Sequence, residues 1–135
     1  MITVFVDSGG FFASMDADDA HHARAKELFV AARAERWKLI TTNVVVYETH
    51  ALLTARAKDR RAALRFLDAI DANLSAVHRI QPDDERAAVA ILRSHADKDY
   101  SYCDALSFVV MERLGITQAI AFDRHFREYG RWRLL

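Results

Sequence analysis

The sequence predicts an α/β protein, with a three-layer α/β/α sandwich around a central, mainly parallel sheet. Short apolar runs of strand character alternate along the chain with longer segments of helical periodicity. Parallel neighbouring strands need crossover connections, which helices usually supply. With 135 residues, 52% of them hydrophobic, the chain can bury a substantial core, and we expect residues 1–135 to form a single domain.

Five segments have strand character. Residues 2–6 (ITVFV) are β-branched and almost continuously apolar, as expected of a parallel strand covered on both faces. Three further strands are predicted at residues 38–42, 76–80 and 118–122. Residues 132–135 are predicted to form an edge strand.

Five helical segments lie between the strands. Asp18, Asn43 and Asp59 could cap the first three, Pro82 lies near the first turn of the fourth, and the fifth begins at about Tyr102. The first two should end near residues 35 and 57. In the third, Phe66, Ile70 and Leu74 share a face, and Gly115 closes the fifth after residue 114. The predicted order is β, α, β, α, α, β, α, α, β.

Composition excludes some classes of function. Nineteen basic and nineteen acidic side chains cancel, so a nucleic acid would have to be held by local charges. The single cysteine, Cys103, cannot form an internal disulfide, and we expect it to be a small buried side chain. A signal-peptide pattern and a membrane-spanning run are not apparent, and we expect a cytoplasmic protein that does not insert into a membrane.

Four carboxylates are predicted to meet at one edge of the sheet. Asp7 ends the first strand, Asp123 follows the fourth, Glu48 lies in the helix after the second, and Asp104 lies in the first turn of the last long helix. Ligands bind at the carboxyl ends of parallel strands. Packed carboxylates repel one another unless a cation lies among them, and oxygen ligands in this number suit Mg²⁺ or Mn²⁺. Because these ions accept phosphate oxygens, a phosphodiester is the natural substrate.

Each acid also has a purely structural interpretation. Asp7 could turn the chain, and Asp123 could cap the short helix of RHFREY. Asp104 could complete a capping box with Ser101, and Glu48 could be a solvated helix residue. The position of all four relative to the sheet favours the joint site.

Four segments resemble the motif regions of the PIN-domain family, in particular VapC-type toxins: TVFVDSGGFFA, TTNVVVYETHALL, YSYCDALSFVVMERLGI and AIAFDRHFREYG. The resemblance spans the chain in order. It implies a three-layer fold, metal-dependent endonucleolytic cleavage of RNA, and an acidic quartet at Asp7, Glu48, Asp104 and Asp123. For a toxin it also implies a small antitoxin that covers the acidic cleft, and a homodimer.

The resemblance also implies supporting residues. Ser8 matches the small polar residue after the first aspartate, and Asn43 matches the polar residue before the glutamate helix. His125 could touch the metal or phosphate, or be a surface group. By contrast, His21 and His22 have no further ligand at metal-binding spacing, and we expect a solvated helix start there.

The sequence departs from the family pattern in two places. Gly9 and Gly10 make the first turn more glycine-rich than usual. Asp97 or Asp99 could replace Asp104 as the third acid, although the match of DALSF favours Asp104.

Arginines near the acids could bind phosphates. Four follow the last acid: Arg124, Arg127, Arg131 and Arg133. Three others could line an RNA path shared by two subunits: Arg56, Arg60 and Arg61. Solvated surface arginines would give the same pattern. The apolar segments VVVYETHALLTARA and RRAALRFLDAI favour a shared subunit face, which a charge at Leu53 or Leu67 should disrupt.

Other functions fit the sequence less well. Receiver domains and haloacid-dehalogenase-type phosphatases need a lysine late in the chain, and none follows Lys98. Glycine patterns for dinucleotide or P-loop binding are missing. Two alternatives to a toxin remain, a housekeeping RNA-processing nuclease and a non-catalytic RNA-binding protein of the same fold. Non-catalytic members typically lose part of the quartet, whereas this chain keeps all four acids.

Overall fold

Five parallel strands form the central sheet of the protein, and seven helices surround it. The computed structural model describes residues 1–135. The strands are β1 (Thr3–Val6), β2 (Lys38–Thr42), β3 (Ala76–His78), β4 (Gln118–Ile120) and β5 (Arg133–Leu134). The helices are α1 (Ser8–Met15), α2 (His22–Ala34), α3 (Asn43–Ala55), α4 (Arg60–Asp71), α5 (Pro82–Ser94), α6 (Tyr102–Leu114) and α7 (Arg124–Tyr129). None of these helices combines the length and the hydropathy that are needed to cross a membrane.

The strand order is β3-β2-β1-β4-β5, and every neighbouring pair is parallel. This confirms the predicted α/β class and the parallel sheet, with β5 as an edge strand. From the central β1 the chain first adds β2 and β3 on one side, then β4 and β5 on the other. The strand order therefore reverses between β1 and β4, and in such sheets a ligand crevice opens at the carboxyl ends of these two strands.

The hydrophobic core lies between the sheet and the helices that cover it. Val4, Phe5 and Val6 of β1 are fully buried, as the prediction of a strand covered on both faces requires. Phe11 of α1 packs on Phe66 of α4, with ring centroids 5.1 Å apart. These contacts fix the helices that carry the functional side chains relative to the central strand.

Helix α1 is absent from the predicted order of elements, which treated Gly9 and Gly10 as a turn. The chain instead passes directly from β1 into a helix at Ser8, with Asp7 in extended conformation as the N-cap residue. A Cβ atom on Gly10 would lie 2.8 Å from the carbonyl oxygen of Ile120. Glycine is required there because it lets the helix backbone approach β4, and the same residue lowers the local helix propensity.

Helix α2 begins later than predicted. Asp18 does not cap it, because residues 16–21 form a separate turn before the first helical residue, His22. Two side chains close that turn. Asp16 accepts a hydrogen bond from the backbone N–H of Asp18 at 3.1 Å, and Asp19 accepts one from that of His21 at 2.8 Å.

The predicted N-cap residue is wrong for α3 and correct for α4. Thr42, rather than Asn43, caps α3, and its hydroxyl accepts a hydrogen bond from the backbone N–H of Val45 at 3.1 Å. Asp59 caps α4 as predicted, by accepting from the backbone N–H of Ala62 at 2.9 Å.

The apolar residues of α3 and α4 pack mainly against the protein itself. Leu53 is 0% exposed and Leu67 packs against the core. A charge at Leu53 would therefore disrupt the core, and the predicted use of this residue to test dimerisation is wrong. Leu74 was predicted to share the buried face of α4, but it lies beyond the end of the helix and is exposed. Leu64, which lies within α4, is also exposed, at 58%.

An ion pair joins the start of α5 to the end of α6. The carboxylate of Asp84 is buried and accepts from the Arg113 side chain, with Nε to Oδ1 at 3.0 Å. Its other oxygen accepts from the backbone N–H of Gln81, which completes the capping box of α5. Arg113 also donates to Nε2 of His78 at 2.7 Å. Gly115 ends α6 in the left-handed conformation, as predicted.

Candidate functional site

All four predicted carboxylates line one cleft at the carboxyl edge of the sheet. The cleft has a volume of about 380 Å³, and the acids in it are Asp7, Glu48, Asp104 and Asp123. They come from the end of β1, the second turn of α3, the first turn of α6 and the N-cap of α7. The crevice between β1 and β4 therefore brings together residues that are far apart in the sequence.

Asp7 is the most buried of the four acids, with 3% of its surface exposed. Burial first, and then the neighbouring charges of Glu48 and Asp104, raise the pKa of Asp7 from 3.8 to about 8, against a smaller lowering by the backbone of Ser8. An aspartate in this position is protonated near neutral pH unless a cation lies beside it. The donor set, three further carboxylates around the buried carboxylate of Asp7, fits a hard divalent cation.

Asp104, Asp123 and His125 form a tighter group within the cleft. Nδ1 of His125 lies 2.8 Å from Oδ2 of Asp104 and 3.2 Å from Oδ1 of Asp123. One ligand atom from each residue lies within 4.8 Å of the others, which is compact enough to hold one ion. Burial lowers the pKa of His125, but the two carboxylates outweigh it and the net shift is upward. Positive charge is thus favoured at this point of the cleft.

Two of the acids also have the structural roles that the sequence left open. Asp104 forms a capping box with Ser101, with both hydrogen bonds at 3.0 Å. Asp123 caps α7 by accepting from the backbone N–H of His125 at 2.8 Å. Each cap uses a single carboxylate oxygen. The other, Oδ1 of Asp104 or Oδ2 of Asp123, makes no hydrogen bond within the protein, so capping and ion binding are compatible.

Glu48 is half-buried and is oriented by Ser8, whose hydroxyl donates a short hydrogen bond to Oε1 of Glu48. Ser8, which was predicted to be a supporting residue, therefore contacts one acid of the quartet directly. Cys103 is half-buried rather than buried, and burial together with the charge of Glu48 raises the pKa of its thiol. The thiol is accordingly a poor nucleophile.

Asn43 does not line the cleft. Its side-chain oxygen accepts a hydrogen bond from the backbone N–H of Ile80 at 2.8 Å. This bond ties the first residue of α3 to the chain that follows β3. Asn43 thus helps to hold the start of the helix that carries Glu48.

Arg56 is the arginine that lines the cleft itself. Its guanidinium lies over the ring of Phe12, 5.0 Å from the centroid. Arg60 and Arg61 are exposed residues in the first turn of α4 and are not part of the cleft wall.

The arginines after Asp123 lie outside the cleft wall, and Arg124 is the one next to the acidic group. It donates to Asp99 at 2.6 Å, and the same carboxylate lies 3.0 Å from Nε2 of His125. Asp99 itself is exposed and does not line the cleft, whereas Asp104 does. Three arginines are exposed and lie away from the cleft wall: Arg127, Arg131 and Arg133.

Asp19 and His21 also line the cleft, and neither has a sequence signal for a functional site. His21 is exposed, as predicted, but its imidazole stacks on the ring of Phe122, with centroids 4.5 Å apart and an interplanar angle of 0°. His22 is instead half-buried, and its Nδ1 lies 2.7 Å from the carbonyl oxygen of Ala13. Phe122 directly precedes Asp123 in the sequence, but this position does not reveal that His21 stacks on its ring.

Comparison with known proteins assigns the chain to a family. A PIN domain is matched over residues 4–131. The chain belongs to the PIN-domain family. As a PIN domain, it is 36% identical over 130 residues to the 23S rRNA-specific endonuclease VapC20 of Mycobacterium tuberculosis, with 94% of both chains covered. It is 30% identical over 129 residues to a VapC ribonuclease of Archaeoglobus fulgidus, with 93% of this chain and 80% of that protein covered.

Solved PIN-domain structures agree with this assignment. The crystal structure of M. tuberculosis VapC20, described as a sarcin-ricin loop cleaving toxin, superposes with a TM-score of 0.85 and 35% identity over 95% of both chains. VapBC2 of Rickettsia felis, bound to a promoter DNA fragment, superposes with a TM-score of 0.68 and 10% identity over 99% of this chain and 98% of that chain. The second likeness is one of fold.

Proposed function

We propose that this PIN-domain protein is a metal-dependent endoribonuclease and the toxin of a type II toxin-antitoxin pair. One observation carries the proposal: the buried carboxylate of Asp7 shares a cleft with Glu48, Asp104 and Asp123 at the switch point of the sheet. Two of these acids cap helices, but capping does not require four carboxylates in one cleft, and together they suit an ion that binds phosphate. Family membership and the VapC relatives support RNA as the polymer.

Asp7, Asp104 and Asp123 would hold Mg²⁺ or Mn²⁺, with Glu48 at the edge of the site. The bound ion would neutralise phosphate charge and make an attacking water more acidic. Glu48, which the hydroxyl of Ser8 holds in place, would orient that water. Attack by water rather than by the ribose 2′-hydroxyl leaves a 5′-phosphate and a 3′-hydroxyl.

The first RNA to test is 23S ribosomal RNA, because this is the target in the name of the 36%-identical relative. An enzyme that acts on ribosomes would work in the cytoplasm. Net charge is zero, so local cations must hold the backbone. Arg56 in the cleft wall and Arg124 at its rim would contact phosphates first, with Arg127 and Arg60 farther along the strand.

A toxin of this kind needs a partner that silences it, and we propose a small antitoxin whose segment covers the acidic cleft. We also propose a homodimer, which would set two clefts beside each other. Light scattering tests the dimer, since a clean mass near the monomer value of 15.4 kDa would reject it. Leu64, an exposed apolar residue of α4, is a suitable position for a disrupting charge, since its side chain is not part of the core.

The test is incubation of the purified protein with ribosomal RNA in Mg²⁺ or Mn²⁺, with and without EDTA, followed by mapping of the cut ends. We expect discrete cuts with 5′-phosphate ends that disappear in EDTA and in Asp7→Asn. Binding without cleavage would indicate the non-catalytic RNA-binding alternative. Cleavage without growth inhibition on expression would favour the housekeeping nuclease.

A further inference from the structure

The stacked pair of His21 and Phe122 is a feature of the cleft that ion binding does not explain. The two rings are parallel, 4.5 Å apart, and both line the cleft that contains the four acids. Phe122 is half-buried, whereas His21 is exposed. Phe122 thus supports the imidazole from below, and ring surface of His21 remains open to a ligand in the cleft.

Several contacts fix His21 in this position. Its backbone N–H donates to the side chain of Asp19 at 2.8 Å, and its carbonyl oxygen accepts from the N–H of Ala25 in α2. The neighbouring ring, that of His22, bonds to the carbonyl oxygen of Ala13 in α1. The imidazole is therefore presented by an anchored turn, and a ligand that stacks on it gives up little conformational freedom to order the protein.

The pair is also fixed relative to the acids. Phe122 directly precedes Asp123, so one peptide segment positions both the lower ring of the stack and a carboxylate of the quartet. A ligand whose phosphate reaches the acids would bring the adjoining group beside His21. In RNA, that group is the ribose with the nucleobase that it carries.

We propose that His21, supported by Phe122, is a stacking platform for one unpaired nucleobase next to the scissile phosphate. The inference rests on the proposed ribonuclease function and deepens it by naming a residue that selects the cut site. Proteins that recognise RNA by sequence commonly take an unpaired base onto an aromatic or imidazole ring. His21 is thus a positioning residue, which binds substrate next to the reacting group.

A nucleobase fits the platform better than an aromatic side chain of a protein partner. The platform is a wall of an acidic cleft, and a polyanion enters such a cleft only with its phosphate on the ion. That requirement brings a base to the stack in each productive complex. A protein segment that covers the cleft has no such constraint on where its aromatic residues lie.

The test uses a short RNA that spans the mapped cut site or, if no cut is found, a fragment of 23S ribosomal RNA that the protein binds, with 2-aminopurine or an abasic residue placed at each position in turn. On wild-type protein, we expect one position at which 2-aminopurine fluorescence is quenched on binding and at which base removal slows cleavage roughly ten- to hundredfold. In His21→Ala, kcat/KM on intact RNA should fall by the same factor, the quenching should disappear, and base removal should have no further effect. His21→Phe should restore both kcat/KM and the quenching, since it keeps the stack and removes the imidazole nitrogens.

Tyr47→Ala is the matched control, because Tyr47 is an aromatic residue that is 60% exposed and lies outside the cleft wall. Cleavage that is unchanged in His21→Ala would reject the platform while leaving the nuclease in place. Quenching that depends on His21 without cleavage would support the platform and reject the nuclease. Quenching that persists in His21→Ala, or failure of the wild-type protein to bind any of these RNAs, would overturn the proposal and leave a protein partner as the occupant of the stack.

Discussion

Gly10 and Ile120 are in such close contact that a Cβ atom on Gly10 would lie 2.8 Å from the carbonyl oxygen of Ile120 and 2.9 Å from its side chain. Helix α1 is thereby held against β4, and the first residue before that helix is Asp7. The backbone N–H of Asp7 donates to the same carbonyl oxygen at 3.1 Å. The contact between these two residues therefore fixes the most buried carboxylate of the cleft.

Gly10→Ala should destabilise the protein by about 1–3 kcal/mol, because a methyl group at this position must displace backbone. Gly9→Ala is the control. The nearest atom to a Cβ on Gly9 is 3.9 Å away, an ordinary contact, so alanine there should be neutral or stabilise the helix by about 0.5–1 kcal/mol. Urea denaturation followed by circular dichroism measures both, and equal stabilities of the two variants would contradict the close-approach argument.

Much of the fold could be predicted because its signals are local. Each of the five strands was placed, since short runs rich in apolar residues mark them, although β3 and β4 end two residues earlier than predicted. Helix α1 could not be predicted, because two adjacent glycines argue against a helix. What makes the helix favourable is contact with Ile120, a residue distant in sequence.

The candidate site divides in the same way. Asp7 and Asp123 could be placed at one edge of the sheet because each directly follows a predicted strand of a parallel arrangement. The stack of His21 on Phe122 could not, since it depends on how the turn at residues 16–21 folds back over the cleft. Likewise, nothing in the sequence separates Arg56, which lines the cleft, from Arg60, which does not.

Asp7→Asn should abolish cleavage and, in EDTA, make the protein more stable than wild type. The pKa of Asp7 is about 8 when folded and 3.8 in its ordinary state, so ionisation opposes folding. The stabilising contribution of protonated Asp7 to the free energy of unfolding is fully present below about pH 4 and is lost as the pH rises through about 8. At pH 8 we expect the variant to be more stable by roughly 1–3 kcal/mol, with a smaller difference at pH 5.

The measurement is urea denaturation of both proteins in EDTA at pH 5 and pH 8, so that only the difference between them is interpreted. Other titrating groups are common to both proteins and largely cancel. A variant that is less stable at pH 8, or one that still cuts RNA at the wild-type rate, would show that Asp7 is only a turn residue.

Arg113→Ala should destabilise the fold without affecting the cleft. The variant leaves the buried carboxylate of Asp84 with the backbone of Gln81 as its remaining hydrogen-bond donor. Breaking a fully buried pair costs about 3–5 kcal/mol, and since the Arg113 side chain is 43% exposed, we expect about 1–3 kcal/mol. Asp104 lies nine residues earlier on the same helix, roughly 14 Å away along its axis, so kcat should be unchanged.

Arg93→Ala is the control for this prediction, because Arg93 is an exposed residue in the last turn of α5. Thermal denaturation should separate the two variants by several degrees. If Arg113→Ala were as stable as Arg93→Ala, the ion pair would not contribute to the packing of α5 on α6.

Divalent ions should stabilise the wild-type protein, and the acids that bind them can be identified from that effect. At an ion concentration ten times Kd, binding adds about 1.4 kcal/mol to stability, which for a chain of this length raises Tm by roughly 4–8 °C. Asp104→Asn should lose the increase, because asparagine can still accept the capping hydrogen bond from Ser101 but carries no charge.

Asp99→Asn is the decisive comparison, since Asp99 was the other acid that the sequence allowed as the third of the quartet. Its carboxylate is exposed at the rim, where it pairs with Arg124 and His125, and it does not line the cleft. The variant should therefore keep the rise in Tm with Mn²⁺, measured by differential scanning fluorimetry. If the rise in Tm survived in Asp104→Asn but were lost in Asp99→Asn, the ion would bind outside the cleft. The rim group of Asp99, His125 and Glu128 would then be its site.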